Sequence, residues 1–172
     1  RPGSIFQPAS TTMSTPEQLR QLIRTLLDTQ IQAVLATQHR RQPYTSLMAF
    51  AVTPDLRRIV FATYRATQKY ANLLANPRAS LLIDNRRNDS VDYRNAVAIS
   101  AQGTVHEVGV DRRTELLNLY LGKHPRLRDF VTAADCALLQ LDVQCYYVVS
   151  RFQNVDELRL DQDDAHPSSN EI

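Results

Sequence analysis

The first regular pattern along the chain is helical: Leu19, Leu22, Ile23, Leu26 and Leu27 form one apolar stripe. Thr15-Pro16-Glu17-Gln18 precedes it. This reads as an N-cap, a proline at the first helical position and a capping-box Gln, so the spacing predicts an opening helix. The period then shortens. Gln32–Thr37 is a short apolar strand, His39–Gln42 a polar turn and Pro43–Val52 the returning strand. Thr53-Pro54-Asp55 turns again before the β-branched strand Arg58–Thr63. From Thr67 the apolar positions Tyr70, Leu73 and Leu74 predict a short helix that stops at Asn76-Pro77.

Ala79–Asp84 returns to strand, and Asn85–Asn95 is a polar, arginine-rich loop. Ala96–Glu107 is a long strand in which Gly103 suggests a bulge. Val110–Leu121 is an amphipathic helix ended by Gly122, and Pro125–Val131 predicts another short one. Cys136–Val143 and Cys145–Gln153 are expected to close the fold as a hairpin turning near Val143 and Gln144. No internal repeat is present. Strands joined by tight turns rather than helical crossovers imply a mainly β fold with flanking helices, its antiparallel sheet most economically closed into a barrel. Residues 1–14 are set aside as a disordered leader or cloning remnant, with Met13 a candidate natural start. Residues 15–155 are the expected domain, and 156–172 an acidic, mobile tail.

Composition narrows the class. The chain has 172 residues, 43% hydrophobic and 22% charged, which is ordinary for a single globular domain. Wholesale disorder, collagen and a disulfide scaffold are excluded. No apolar run approaches the ~18–20 residues of a membrane-spanning helix. On successive strands of the expected hairpin, Cys136 and Cys145 would lie too far apart to bridge. Two reduced thiols without CxxC spacing suit a reducing compartment, so the cytoplasm is expected. The net charge is +2, unevenly spread. Asp156 to Ile172 carries six acids against Arg159 alone, whereas Arg57 to Arg94 carries eight bases and three acids. So compact a basic stretch points to an anionic ligand.

Two segments carry candidate chemistry. In Thr63-Tyr64-Arg65-Ala66-Thr67-Gln68-Lys69 a strand gives way to a helix. A helix start offers unpaired N–H groups and a positive dipole end. Thr67 is placed as N-cap or hydroxyl donor, and Arg65 and Lys69 add full charges, the combination a phosphate monoester needs. In Pro43–Phe50, alternation puts Thr45, Leu47 and Ala49 on one face and Ser46, Met48 and Phe50 on the other. A flat aromatic ligand lying along such a strand would find backbone groups and hydroxyls. Taken singly, each segment is read more simply as a capped surface helix and a core-packing barrel strand.

The pieces Ala33–Thr37, Gln42–Met48, Ile59–Thr63, Thr67–Leu73 and Asn76–Leu81, in that order and spacing, resemble the pyridoxamine 5′-phosphate oxidase-like FMN-binding split-barrel family. The resemblance runs from about Glu17 to Gln153, with Tyr146–Phe152 fitting the closing strand. It implies a six-stranded split β-barrel forming a homodimer, with FMN at the subunit interface and a small-molecule substrate or electron donor. It further implies that Arg65, Thr67, Gln68 and Lys69 hold the ribityl phosphate. Ser46, Leu47, Met48 and Ala49 would lie along the isoalloxazine ring, with Thr63 and Tyr64 beside the ribityl chain. Asn85, Arg86 and Arg151 would reach the partner's flavin.

The departures are specific. Arg40 and Arg41 stand where many relatives have a turn glycine, so a longer or differently shaped turn is expected. The chain has no Trp, and Asp156–Asp161 does not reproduce the C-terminal Arg-and-His motif with which authentic pyridoxamine-phosphate oxidases grip their substrate. The resemblance therefore implies flavin chemistry rather than vitamin B6 oxidation. His39, His106, His124 and His166 lack metal-ligand spacing and read as surface residues, and no metal is expected. A haem-handling branch of this fold uses a C-terminal His as axial ligand, which keeps haem at His166, like a deazaflavin in the same cleft, as an alternative. A non-catalytic flavin-storage protein is another. Nucleic-acid binding ranks below these, because Tyr64, Tyr70 and Tyr93 fall at different positions rather than on one strand face. No side chain stands out as a general acid or base.

Overall fold

A computed structural model describes residues 15–151 and 154–160. Helix α1 (Pro16–Thr29) begins with the expected capping box, Thr15 and Gln18 satisfying each other's backbone N–H, and buries Leu19, Ile23, Leu26 and Leu27. Strands β1 (Gln32–His39), β2 (Gln42–Val52) and β3 (Arg58–Tyr64) follow as a meander. After them come α2 (Gln68–Ala75), β4 (Arg78–Asp84), the single turn α3 (Asp92–Asn95) and β5 (Val97–Glu107). Then α4 (Val110–Lys123), a 3-10 turn (Pro125–Leu127), α5 (Arg128–Val131), β6 (Cys136–Ser150) and β7 (Asn154–Arg159) complete the order.

The strands run β3-β2-β1-β4-β5-β6-β7, every pair antiparallel, and β3 also pairs with β6. That last pairing closes six strands into a barrel and leaves β7 as an added strand. Leu35, Phe50, Ile59, Phe61, Leu81, Ile83, Ile99 and Leu139 fill the barrel together with Ile23 and Leu27 of α1. A second cluster lies outside it, where Leu116, Tyr120 and Leu121 of α4 and Val131 cover Ala51, Val60, Ala62 and Leu138. Both faces of β3 and of the first half of β6 are therefore covered. This explains why Ile59–Ala62 and Cys136–Leu139 are unbroken apolar runs instead of alternating.

Four expectations need correction. The hairpin expected at Val143 and Gln144 does not exist: β6 is one strand of 15 residues. Gln102 pairs with Cys145 and Gly103 with Val143, so Gln144 is an extra residue, a bulge opposite Gly103. A Cβ on Gly103 would stand 1.9 Å from the Asp142 carbonyl oxygen, so only glycine permits this approach. The bulge is also where β6 changes partner, from β3 over Cys136–Asp142 to β7 over Cys145–Ser150. The free thiols Cys136 and Cys145 thus sit on one strand, about 30 Å apart at ~3.3 Å per residue.

Second, the acidic tail begins later than residue 156, because Asp156–Arg159 belong to β7 and Leu158 and Leu160 are buried in the barrel cluster. The remainder of the expected tail, from residue 161, lies outside the described residues, as do the leader 1–14 and His166. Third, the β1–β2 turn is not longer. It is a two-residue loop with Arg40 and Arg41 both at positive φ (46° and 71°), the twist-matched geometry that normally takes Asn-Gly. Fourth, His124 is not a surface residue but half-buried, its Nε2 2.7 Å from the Phe50 carbonyl oxygen. No helix among the described residues is long and apolar enough to cross a membrane.

Candidate functional site

The junction of β3 and α2 gathers the expected anion-binding residues at one rim of the barrel. Thr67 is the N-cap of α2, accepting from Tyr70 N–H at 3.3 Å. Its own proton goes to the Tyr64 carbonyl at 2.9 Å, and the buried Thr63 hydroxyl lies 3.0 Å away. Thr67 therefore builds the helix start rather than offering a spare donor. The N–H groups of Gln68 and Lys69 have no acceptor within the helix, as at any helix start, whose first bond runs from Ala71 N–H to the Thr67 carbonyl. The Gln68 amide leans back on Asn72 at 2.7 Å, while buried Asn72 donates to Thr37 of β1 at 3.0 Å and so ties α2 to the barrel.

Lys69 is half-buried, and burial pulls its ammonium below the ordinary lysine value. Its partner among the described residues is the Met48 sulfur, 3.3 Å away. A thioether is a weak acceptor for three ammonium protons, so the described residues give this half-buried cation no strong acceptor. Met48 and Ser46 share the inward face of β2, about 7 Å apart along the strand. The Ser46 hydroxyl oxygen is buried with no hydrogen-bond partner among the described residues. One face of β2 thus carries an orphaned hydroxyl and ends at an underpaired cation. Leu47 and Ala49 face the other way, and Leu47 is 65% exposed.

Arg65 is differently placed. Its Nη1 donates to Glu107 Oε2 at 2.8 Å and to the Tyr70 hydroxyl at 2.6 Å, while Nη2 donates to Glu107 Oε1. The carboxylate holds the guanidinium firmly protonated, and the guanidinium in turn holds Glu107 below the usual carboxylate range. Tyr64 packs edge-on against Phe130 with ring centroids 4.9 Å apart, and its own ring is partly exposed.

Asn85, Arg86 and Arg151 are not at this mouth. Asn85 pairs with Val97 at the start of β5, whereas Glu107 ends that strand, about 30 Å away at ~3.3 Å per residue. Arg86 binds Asp84 at 3.2 Å, and Arg151 turns the chain out of β6 with φ 48°. Sequence reasoning missed Glu107 and Tyr70. Tyr70 reads as one more apolar position of α2. Nothing local marks Glu107, which stands 42 residues from Arg65 and meets it only because β6 lies between β3 and β5. Among the described residues no group of His, Cys, Asp or Glu converges to hold a metal ion.

Solved structures share this architecture. A haem-binding protein from Mycobacterium smegmatis superposes with a TM-score of 0.71 at 18% identity, over 79% of this chain and 55% of that one. Campylobacter jejuni ChuZ gives 0.72 at 9% identity, over 87% and 62%. A FAD-binding protein from Mesorhizobium loti gives 0.59 at 14%, over 73% and 89%. This chain thus spans little more than half the length of the mycobacterial protein. At such identities the likeness is one of fold. A search of curated proteins returns no match. The family model described as pyridoxamine 5′-phosphate oxidase matches residues 19–147, most of the chain and all of the mouth, and with the barrel's topology it shows that this protein belongs to the pyridoxamine 5′-phosphate oxidase-like family.

Proposed function

We propose that this protein is an FMN-binding flavoprotein, working as a homodimer and as a flavin-dependent oxidoreductase on a small-molecule substrate. The observation that carries the reading is Lys69: a half-buried ammonium at a helix N-terminus, with a thioether for a partner. A phosphate monoester there would receive the two unpaired N–H groups of α2 and a full positive charge, and would relieve the desolvated cation. The orphaned Ser46 hydroxyl on the neighbouring strand is a donor for the polar edge of a flat ring. The residues present therefore fit the flavin. Lys69, Gln68 and the α2 N-terminus would hold its phosphate, and Ser46, Leu47, Met48 and Ala49 its ring.

Bound there, the flavin would supply hydride or single-electron transfer, and the chain's own residues position and neutralise it. Met48, itself buried, packs against one side of the cation. A second copy is the natural cover for the other side, because Leu47 projects outward from β2 with 65% of its surface exposed. In such a dimer Asn85, Arg86 and Arg151, remote from their own chain's mouth, would approach the partner's flavin.

The absorption spectrum of freshly purified protein tests the ligand. Flavin bands are expected, whereas a Soret band would replace the reading with haem, in line with the mycobacterial neighbour's description. Oxidation of NADH or NADPH by the holoprotein separates an enzyme from a flavin store. Sedimentation should give a dimer at micromolar concentration, and a monomer there would contradict the interfacial site.

A further inference from the structure

The mouth has two cations, yet one of them is already taken. Glu107 meets Arg65 as a two-oxygen fork against its two terminal nitrogens, and Tyr70 completes a closed triangle by donating to Glu107 Oε2 at 3.4 Å. A carboxylate in this geometry occupies the same face of a guanidinium that a phosphate would use. The triangle links the ends of β3 and β5 to the first turn of α2, the helix that also carries Lys69. Both partners are about 40% exposed, a setting in which ion pairs open readily. Among the described residues Lys69 has no carboxylate partner, so the two cations are not equivalent there.

We infer that Glu107 is a built-in competitor for the ligand's phosphate, and that it sets the affinity and phosphate selectivity of the mouth. The inference rests on the flavin reading above. The phosphate lands first on Lys69 and the α2 N-terminus, and gains Arg65 only by displacing a carboxylate that also repels it. A residue that merely held Arg65 in position would act in the opposite direction, since its loss would loosen the site.

The test compares FMN with riboflavin, which has the same ring and no phosphate, by titration of ligand-free wild type and Glu107→Gln. Neutralising one charge beside the phosphate should tighten FMN by about tenfold. Riboflavin affinity should not change, and the FMN-to-riboflavin ratio should fall more steeply with salt than in wild type. FMN bound by wild type but equally or more weakly by the variant overturns the role of Glu107 and leaves the flavin site standing. Neither protein binding FMN overturns both. Should the Gln variant fail to fold, Glu107→Ala is the second variant with the same expected outcome. Failure of both to fold overturns the inference, because an ion pair the fold requires is no displaceable clamp.

Discussion

The chain has two lysines, Lys69 and Lys123, and they end in opposite circumstances. Both are half-buried, and burial lowers both below the ordinary lysine value, Lys123 to about 8. Lys123, the last residue of α4, donates to the Leu27 carbonyl at 2.7 Å, and its ammonium sits 4.0 Å from the centre of the Phe50 ring. It ties α4 to the C-terminal turn of α1, where exposed carbonyls favour a cation. Lys69 has a helix start on one side and a thioether on the other. Lys123 is a cation to which the fold supplies a carbonyl and a ring; to Lys69 the described residues supply a thioether, and the proposed function gives it an outside partner. Burial alone does not distinguish a structural lysine from a binding one, whereas the identity of its acceptors does.

Exchanging the effects of the two side chains would break this contrast. Lys69→Ala should weaken FMN binding by about ten- to a hundredfold, the equivalent of losing one charge-assisted hydrogen bond of about 1.5–3 kcal/mol. Its melting temperature should hardly move. Lys123→Ala should do the reverse, with FMN affinity unchanged in titration and stability to urea lowered by about 1.5–3 kcal/mol as the Leu27 carbonyl loses its partner. A Lys123 variant that loses flavin, or a Lys69 variant that loses stability, would void the distinction.

Lys69→Met sharpens it further. Removing an ill-satisfied cation and adding a thioether-compatible side chain should leave the ligand-free protein as stable as wild type or more stable, by less than about 1 kcal/mol. A clear drop in melting temperature would show that the protein does satisfy Lys69 itself. The smallest expected effect is on pH dependence. With its folded value near 8 and its unfolded value near 10.5, Lys123 leaves the unfolded chain holding more protons between those limits. Stability from this group therefore rises with pH across that window. The wild-type melting temperature, measured relative to Lys123→Met, should rise from pH 8 to pH 10. Taking the difference removes the opposite trend from Cys136 and Cys145, whose raised thiol values cost stability as pH climbs. Parallel curves would contradict it.

Where local chemistry decides the outcome, the sequence was sufficient. The capping box of α1, the β1–β3 meander and the N-cap of α2 are all set by neighbours close in the chain. What escaped depends on partners far along the chain. Gln144 looks like a turn residue because it is polar between apolar neighbours, but it is the bulge that lets β6 leave β3 and receive β7. Leu158 and Leu160 alternate among acids, so their burial is visible only once β7 is known to pair with β6. Arg40 and Arg41 defeat turn reading because neither is a residue that favours positive φ. At the mouth, Lys69 and Arg65 were legible as charges at a helix start. That one of them is clamped by Glu107 was not, since the pairing crosses an intervening strand.

Titration of ligand-free protein with FMN and with riboflavin, followed through the flavin's own fluorescence, tests the central assignment most directly. If the α2 N-terminus and Lys69 grip a phosphate, FMN should bind at least about tenfold more tightly than riboflavin, and Lys69→Ala should cut that preference sharply. Equal affinities for the two, or a preference undiminished in the variant, would contradict it.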